Sequence, residues 1–243
     1  MNLKLKTLLL ICLVVFCGSQ INDIHAAAEP FGQITKLKGE PRVIRRLKPL
    51  DVKEGDPLFI GDRVRTKVTD QIEIRTTFDD VITVAPRTSM VLENKSKDGK
   101  KKEIFLELLG GTIKNKVNHL KKEESFLIRT PVSVVGVRGT TFIVEDNGTV
   151  VVIEGEVAVT EVSTGSDQTT NKENTDIKKG KEVKVKSNQK VTFSKGGKVS
   201  SPSRVSRVEL LKKDHSFKIR VRKDVERDKR PETTQKKDAS TQK

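Results

Sequence analysis

The chain has 243 residues, with 48 Lys and Arg against 33 Asp and Glu, a formal net charge of +15, and only two cysteines. Both, Cys12 and Cys17, precede residue 29. The chain beyond residue 28 can therefore hold no disulfide framework, thiol nucleophile or cysteine-ligated metal. There is no Trp or Tyr, so nine Phe supply all aromatic bulk and the core must be mainly Val, Ile and Leu.

Residues 1–28 read as a secretory signal peptide. Lys4 and Lys6 give the basic start, Leu8 to Phe16 an apolar run too short to span a bilayer, and His25-Ala26-Ala27-Ala28 small residues for cleavage. The alternatives are an uncleaved anchor and lipidation at Cys17, which the bulky Phe16 before it opposes. An exported protein, periplasmic or associated with the cell envelope, is expected. Residues 29–200 are expected to form one β domain and residues 201–243 a basic tail. Charge divides accordingly: residues 29–166 hold 23 Lys and Arg against 21 Asp and Glu, whereas residues 167–243 hold 23 against 11. Such an excess does nothing for a fold and points to an anionic surface as its counterpart.

In chain order, Phe31 to Arg46 read as a first hairpin about Gly39-Glu40-Pro41. DVKEGDPLFIGDRVRT comes next with two Gly-Asp pairs. Asp56 and Asp62 are too sparse for a calcium loop, so tight turns with Asp bonding the local backbone are expected. QIEIRTTF places Ile72, Ile74 and Phe78 on one side, and VITVAP pairs back after Asp79-Asp80. MVLENKSKDGKKKEIFLELL gives two more strands about Asp98-Gly99, with Lys95, Lys97 and Lys100 to Lys102 crowding a loop that reads as solvated edge protection ahead of the alternative, a phosphate or polyanion contact. TIKNKV is expected as one strand before a polar loop carrying His119, read as a surface histidine. Turn glycines recur at Gly55, Gly61, Gly110, Gly155 and Gly180 without a fixed interval.

The stretch from Phe126 to Val159 is the longest run with few charges. Pro131 must open a strand or come after a bend, because it lacks a backbone donor. Gly136 and Gly139 flank Val137-Arg138, and glycine there permits a bulge or close approach. Asn147-Gly148 between TTFIVED and TVVVIE is the strongest hairpin signal, since both residues readily take positive φ. Arg138, alone among valines, is either a buried staple satisfied by backbone carbonyls or a residue shown to a partner.

TPVSVVGVRGTTF with its hairpin and EGEV segment, and upstream EGDPLFIGDRVRT, IEIRTTFDDVITVAP and LELLGGTI, resembles the FecR domain of bacterial envelope proteins. The resemblance is strongest over residues 31–160. It implies an all-β extracytoplasmic module. The family's namesake relays a siderophore signal from an outer-membrane transporter to a sigma factor. In this sequence the export signal comes first, so sigma-factor regulation is not expected to carry over directly. The expected fold is all-β and mostly antiparallel, either a sandwich or a short solenoid-like roll.

Ser163 to Asp176 read as an exposed polar loop. KEVKVKSNQKVTF then turns Val183, Val185, Val191 and Phe193 one way and Lys184, Lys186 and Lys190 the other. SRVSRVELLKK sets Val205, Val208 and Leu211 at helical spacing, for a short helix or arm, and FKIRV reads as a last strand or extended arm. Beyond about Lys223 the chain is too polar to offset its ordering entropy.

After residue 28 only His119 and His215 remain, and no zinc-protease, serine-hydrolase or phosphate-loop motif is present. No catalytic residue, metal or cofactor is expected, nor nucleic acid as a partner, since the exported basic tail has almost no aromatics to stack bases. The expected function is a non-enzymatic FecR-like module binding an envelope protein or anionic envelope polymer, as part of signal relay. The alternatives are an adhesin-like protein held to anionic polymers by its basic C-terminal third, and an unrecognised hydrolase. The expected binding residues are Thr130, Pro131, Arg138, Gly139 and Thr140. The expected polyanion contacts are Lys184, Lys186, Lys190, Arg204, Arg207, Lys212, Lys213, Arg220 and Arg222, with peripheral membrane contact as a further expectation.

Overall fold

In a computed structural model of the chain, residues 30–94, 103–122, 124–161, 182–193 and 199–219 are described. Residues 1–28, read above as a signal peptide, the lysine-rich stretch about Asp98-Gly99, the stretch from Ser163 to Asp176 expected to be a loop, Gly180, and Arg220 onward lie outside them.

The strands are β1 (Pro30–Lys38), β2 (Arg42–Arg45), β3 (Lys48–Asp51), β4 (Pro57–Phe59), β5 (Arg63–Arg65), β6 (Gln71–Thr76), β7 (Val81–Val84), β8 (Ser89–Asn94) and β9 (Glu103–Gly110). They continue with β10 (Thr112–Lys116), β11 (Ser125–Arg129), β12 (Ser133–Val137), β13 (Thr141–Glu145), β14 (Val150–Glu154), β15 (Glu156–Glu161), β16 (Glu182–Lys186), β17 (Gln189–Val191) and β18 (Ser203–Arg204). One helix comes after them, α1 (Arg207–Ser216).

Two nine-stranded sheets result. Sheet A runs β18-β17-β14-β13-β10-β7-β6-β1-β4 and sheet B runs β16-β15-β12-β11-β9-β8-β5-β2-β3. The chain alternates between them while advancing from one edge to the other. The fold is all-β, a two-sheet sandwich wound in the manner of a roll. β9 and β11 pair in parallel, and the other described pairings are antiparallel. Here the chain crosses to sheet A for the single strand β10 and returns, so β11 must run in the direction of β9.

Alternation drives the inner faces together. Ile72 and Ile74 of β6 stand opposite Val84 and Ile82 of β7, and all four are fully buried. Phe126, Phe142, Met90, Leu106 and Leu108 fill the space between the sheets. Phe78 belongs to the turn after β6 and is only half-buried. TTFIV and TVVVI do not alternate because β13 and β14 are covered on both faces. Phe142 and Val144 enter the main core, whereas Ile143 and Val151 form a second cluster with Val205, Leu210 and Phe217.

Several expectations are corrected here. β1 and β2 are not a hairpin: β1 pairs with β4 and β6 in sheet A, and β2 with β3 and β5 in sheet B. Gly39-Glu40-Pro41 is the crossing between sheets, tied down by Asp70 Oδ1 accepting the Glu40 N–H at 3.1 Å. The hairpin is β2–β3, closed by Arg46 and Leu47, both at positive φ (48° and 65°). At Asn147-Gly148 the β13–β14 hairpin forms, but among its turn residues only Gly148 has positive φ (83°). The Glu145 N–H to Thr149 carbonyl bond encloses a three-residue loop in place of a two-residue mirror turn. After β9 the turning glycine is Gly111, at φ 90°, not Gly110.

Asn115 of β10 lies in the inter-sheet core between Ile82 and Phe142, fully buried, and neither amide atom has a hydrogen-bond partner. An unsatisfied buried polar group costs about 1–3 kcal/mol. Asn115→Val is therefore expected to stabilise the domain by about 1–2 kcal/mol. A urea titration checks this, and a destabilised variant would contradict it.

Candidate functional site

Three carboxylates of the first half hold tight turns. Asp56, Asp62 and Asp70 each accept the backbone N–H three residues earlier, from Lys53 (2.9 Å), Phe59 (2.8 Å) and Lys67 (2.8 Å). Asp62 is fully buried and also grips Arg45, with Nε to Oδ1 at 2.7 Å and NH2 to Oδ2 at 2.8 Å. The guanidinium stacks 4.4 Å from the Phe59 ring centre. This hydrogen bond, seconded by the charge of Asp62, raises the pKa of Arg45 against the opposing pull of burial. The turn reading of the Gly-Asp pairs holds, and Asp62 has a further partner that no local motif signals. Among the described residues no group of three or more His, Cys, Asp or Glu is placed to hold a metal.

The residues expected to form one binding face separate into two. Thr130 and Pro131 make the β11–β12 turn, where the Thr130 hydroxyl accepts the Ser133 N–H at 2.9 Å. Arg138, Gly139 and Thr140 lie beyond the other end of β12, about 17 Å away at 3.3 Å per residue. Thr140 exchanges backbone hydrogen bonds with Val117 and donates its hydroxyl to the Glu156 carbonyl at 2.9 Å. Gly139, at φ 99°, is required, since a Cβ there would stand 2.8 Å from His119 Cα. Gly136 meets no such constraint. Arg138 is exposed, which removes the buried-staple reading. It sits where the chain leaves sheet B, past the last inward position, so its side chain goes to solvent. Arg138→Ala should then fold with stability within about 0.5 kcal/mol of wild type, checked by thermal denaturation.

The expected polyanion contacts also divide. Lys184 and Lys186 are exposed on β16, an edge strand, as are Arg204, Arg207 and Lys212 near α1. Lys190 and Lys213 instead pair with Glu209 (3.3 Å) and Glu145 (2.6 Å), fixing α1 to sheet A. Arg220 and Arg222 lie outside the described residues. The helix itself forms, with Ser206 as its N-cap accepting the Glu209 N–H at 3.1 Å. Its buried side is corrected: Leu210 and Phe217 anchor it, while Val208 and Leu211 face solvent. Val205, buried, precedes the helix, so a spacing counted from it is out of phase. Phe217 to Ile219 do not form a strand.

Together α1 and the outer face of sheet A enclose a groove of about 640 Å³. Its floor includes Val81, Thr83 and Thr141, and its walls Lys36, Arg75, Lys114, Lys116, His215 and Lys218, with Glu73 as the one acid among the described residues lining it. Lys36 pairs with Glu73 at 3.0 Å, Arg75 with Asp79 at 2.5 Å, and Lys114 with Asp214. Lys116 and Lys218 have no ion pair among the described residues and carry the excess charge. Alternating strands supply the groove: inward positions go to the core, so outward positions on β1, β6, β7 and β10 are left to polar and basic residues. Each alternation is visible in the sequence, but nothing there places β1, β6, β7 and β10 side by side.

Residues 62–158 match the family model described as FecR protein. Over this segment the chain is similar to the FecR family. The segment begins at the buried Asp62 and ends in β15, taking in the middle strands of both sheets and most of the groove floor. β1 to β4, β16 to β18 and α1 lie outside the matched segment. Two crystal structures of a "putative anti-sigma factor" from Parabacteroides distasonis ATCC 8503 are similar at 14% identity and a TM-score of 0.45, over 61% of this chain. The match spans 62% of the length of those chains. No curated protein matches the chain.

Proposed function

We propose that the protein is an exported, non-enzymatic FecR-type module that binds an anionic segment of another envelope protein and takes part in envelope signalling. The similarity to the FecR family and the signal-peptide character of residues 1–28 support this reading. The groove on sheet A carries it. This groove is a concave surface lined by more cations than acids, and the ones unpaired among the described residues come jointly from the FecR-like strands (Lys116) and from the C-terminal extension (Lys218).

A photo-crosslinking residue at Thr83, on the groove floor, tests the reading in intact cells, with Lys184 on sheet B as the control position. Crosslinks to one envelope protein are expected from Thr83 and not from Lys184. The pair Lys116→Glu and Lys218→Glu should reduce them several-fold without changing the circular dichroism. Equal crosslinking by that variant, or the processed protein in the cytosol, would refute the proposal. The exposed Lys184 and Lys186 favour a second reading, attachment to anionic envelope polymers through residues 178–237. Salt-sensitive retention on envelope material that the groove variant leaves unchanged would select it.

A further inference from the structure

We propose that the outward face of α1 docks on an anionic lipid surface, so that the module lies against a membrane with sheet A toward the bilayer.

The helix is sorted by charge in a way that packing on the sheet does not require. Its two acids, Glu209 and Asp214, are turned to the sheet and paired with Lys190 and Lys114. Leu210 supplies the buried apolar contact from within the helix. The opposite side presents Arg207, Val208, Leu211 and Lys212, at the i, i+1, i+4 and i+5 positions that share one face. Val208 is 62% exposed and Leu211 60% exposed. Arg204, also exposed, precedes the helix. Among residues 203–219 there is no acid other than Glu209 and Asp214, so this face is cationic with two large aliphatics at its centre.

A soluble polyanion would use the cations and gain nothing from the aliphatics. An anionic bilayer uses both: basic side chains meet the headgroups and the aliphatics enter the interface. No described helix is long and apolar enough to cross a membrane, and surface docking needs none. The groove opens on the same outer face of sheet A, beside the C-terminal end of α1, so a docked module would hold it at the membrane surface.

The experiment uses residues 29–243, which contain every described residue, and vesicles of phosphatidylcholine with or without about one third phosphatidylglycerol. Sedimentation should show binding to the anionic vesicles and little to the neutral ones. The pair Val208→Ser and Leu211→Ser leaves the net charge unchanged and replaces only exposed groups. It should weaken vesicle binding by about tenfold or more, yet leave retention on immobilised polyphosphate unaltered. Arg207→Glu with Lys212→Glu should weaken both. The proposal is overturned if wild type ignores anionic vesicles. It is equally overturned if the serine variant binds them as wild type does, which would make the face a plain polyanion contact. Circular dichroism and thermal melting of each variant separate lost docking from lost folding.

Discussion

Arg45→Ala should lower the stability of the domain by about 3 kcal/mol, the lower end of the cost of stranding a buried charge. The reason lies in what is left behind. Asp62 is 0% exposed, while the Arg45 side chain is 35% exposed. Removing the arginine costs little in its own packing but leaves a desolvated carboxylate with the Phe59 N–H as its remaining hydrogen bond among those described. The cation–π contact with Phe59 is lost as well. At about 2–4 °C per kcal/mol for a domain of this size, melting should fall by roughly 6–12 °C. Arg45→Lys should lie between the two, because an ammonium cannot engage both carboxylate oxygens in the planar fork. Asp62 raises the pKa of Arg45, so the contribution is fully present below the ordinary arginine pKa and is lost only as pH climbs through the raised one. Arg45's own titration therefore adds no pH dependence near neutrality. A measured loss below about 1 kcal/mol would mean that water reaches Asp62.

Phe142→Ala should cost about 3–5 kcal/mol. Phe142 is fully buried, with Asn115 of β10 on one side and Val152 of β14 on the other. It projects between two sheets tied together across their width by other strands, so the cavity has little means of collapsing. Phe142→Leu, which keeps most of the volume, should cost about 1–2 kcal/mol. Urea titration measures both, and near-equal losses would show that the site repacks freely. With no Trp or Tyr in the chain, circular dichroism is the suitable probe.

The β6–β7 hairpin, the strand–loop character of residues 112–124 and the run of strands from Phe126 to Val159 are legible because inward and outward residues alternate, or because turn residues punctuate apolar runs. The first hairpin misleads for a definite reason. Gly39-Glu40-Pro41 has the composition of a turn, and the real turn, Arg46-Leu47, has none of it. A leucine at φ 65° is held by the pairing of β2 with β3 and β5, which the local sequence does not announce.

Arg138 draws notice as one arginine among valines, yet the arginine that staples the fold is Arg45, in a segment crowded with charge. An ion pair on a buried carboxylate is a property of two distant positions, here 17 residues apart, and neither residue marks the other in the sequence. The groove shows the same limit more fully. Lys36, Lys116 and Lys218 are unremarkable where they stand in the chain.

The all-β class, the FecR-like pattern, the lack of cysteine after residue 28 and the concentration of positive charge toward the C-terminus are all readable in the amino-acid order. These depend on composition, on a period of two and on motifs within a few residues of one another. The winding of the chain between two sheets, the docking of α1 on sheet A, and which lysines enter ion pairs emerge once the chain is folded. Those outcomes depend on which strands lie side by side, and a period-two pattern tells a strand which face to bury but not beside which neighbour.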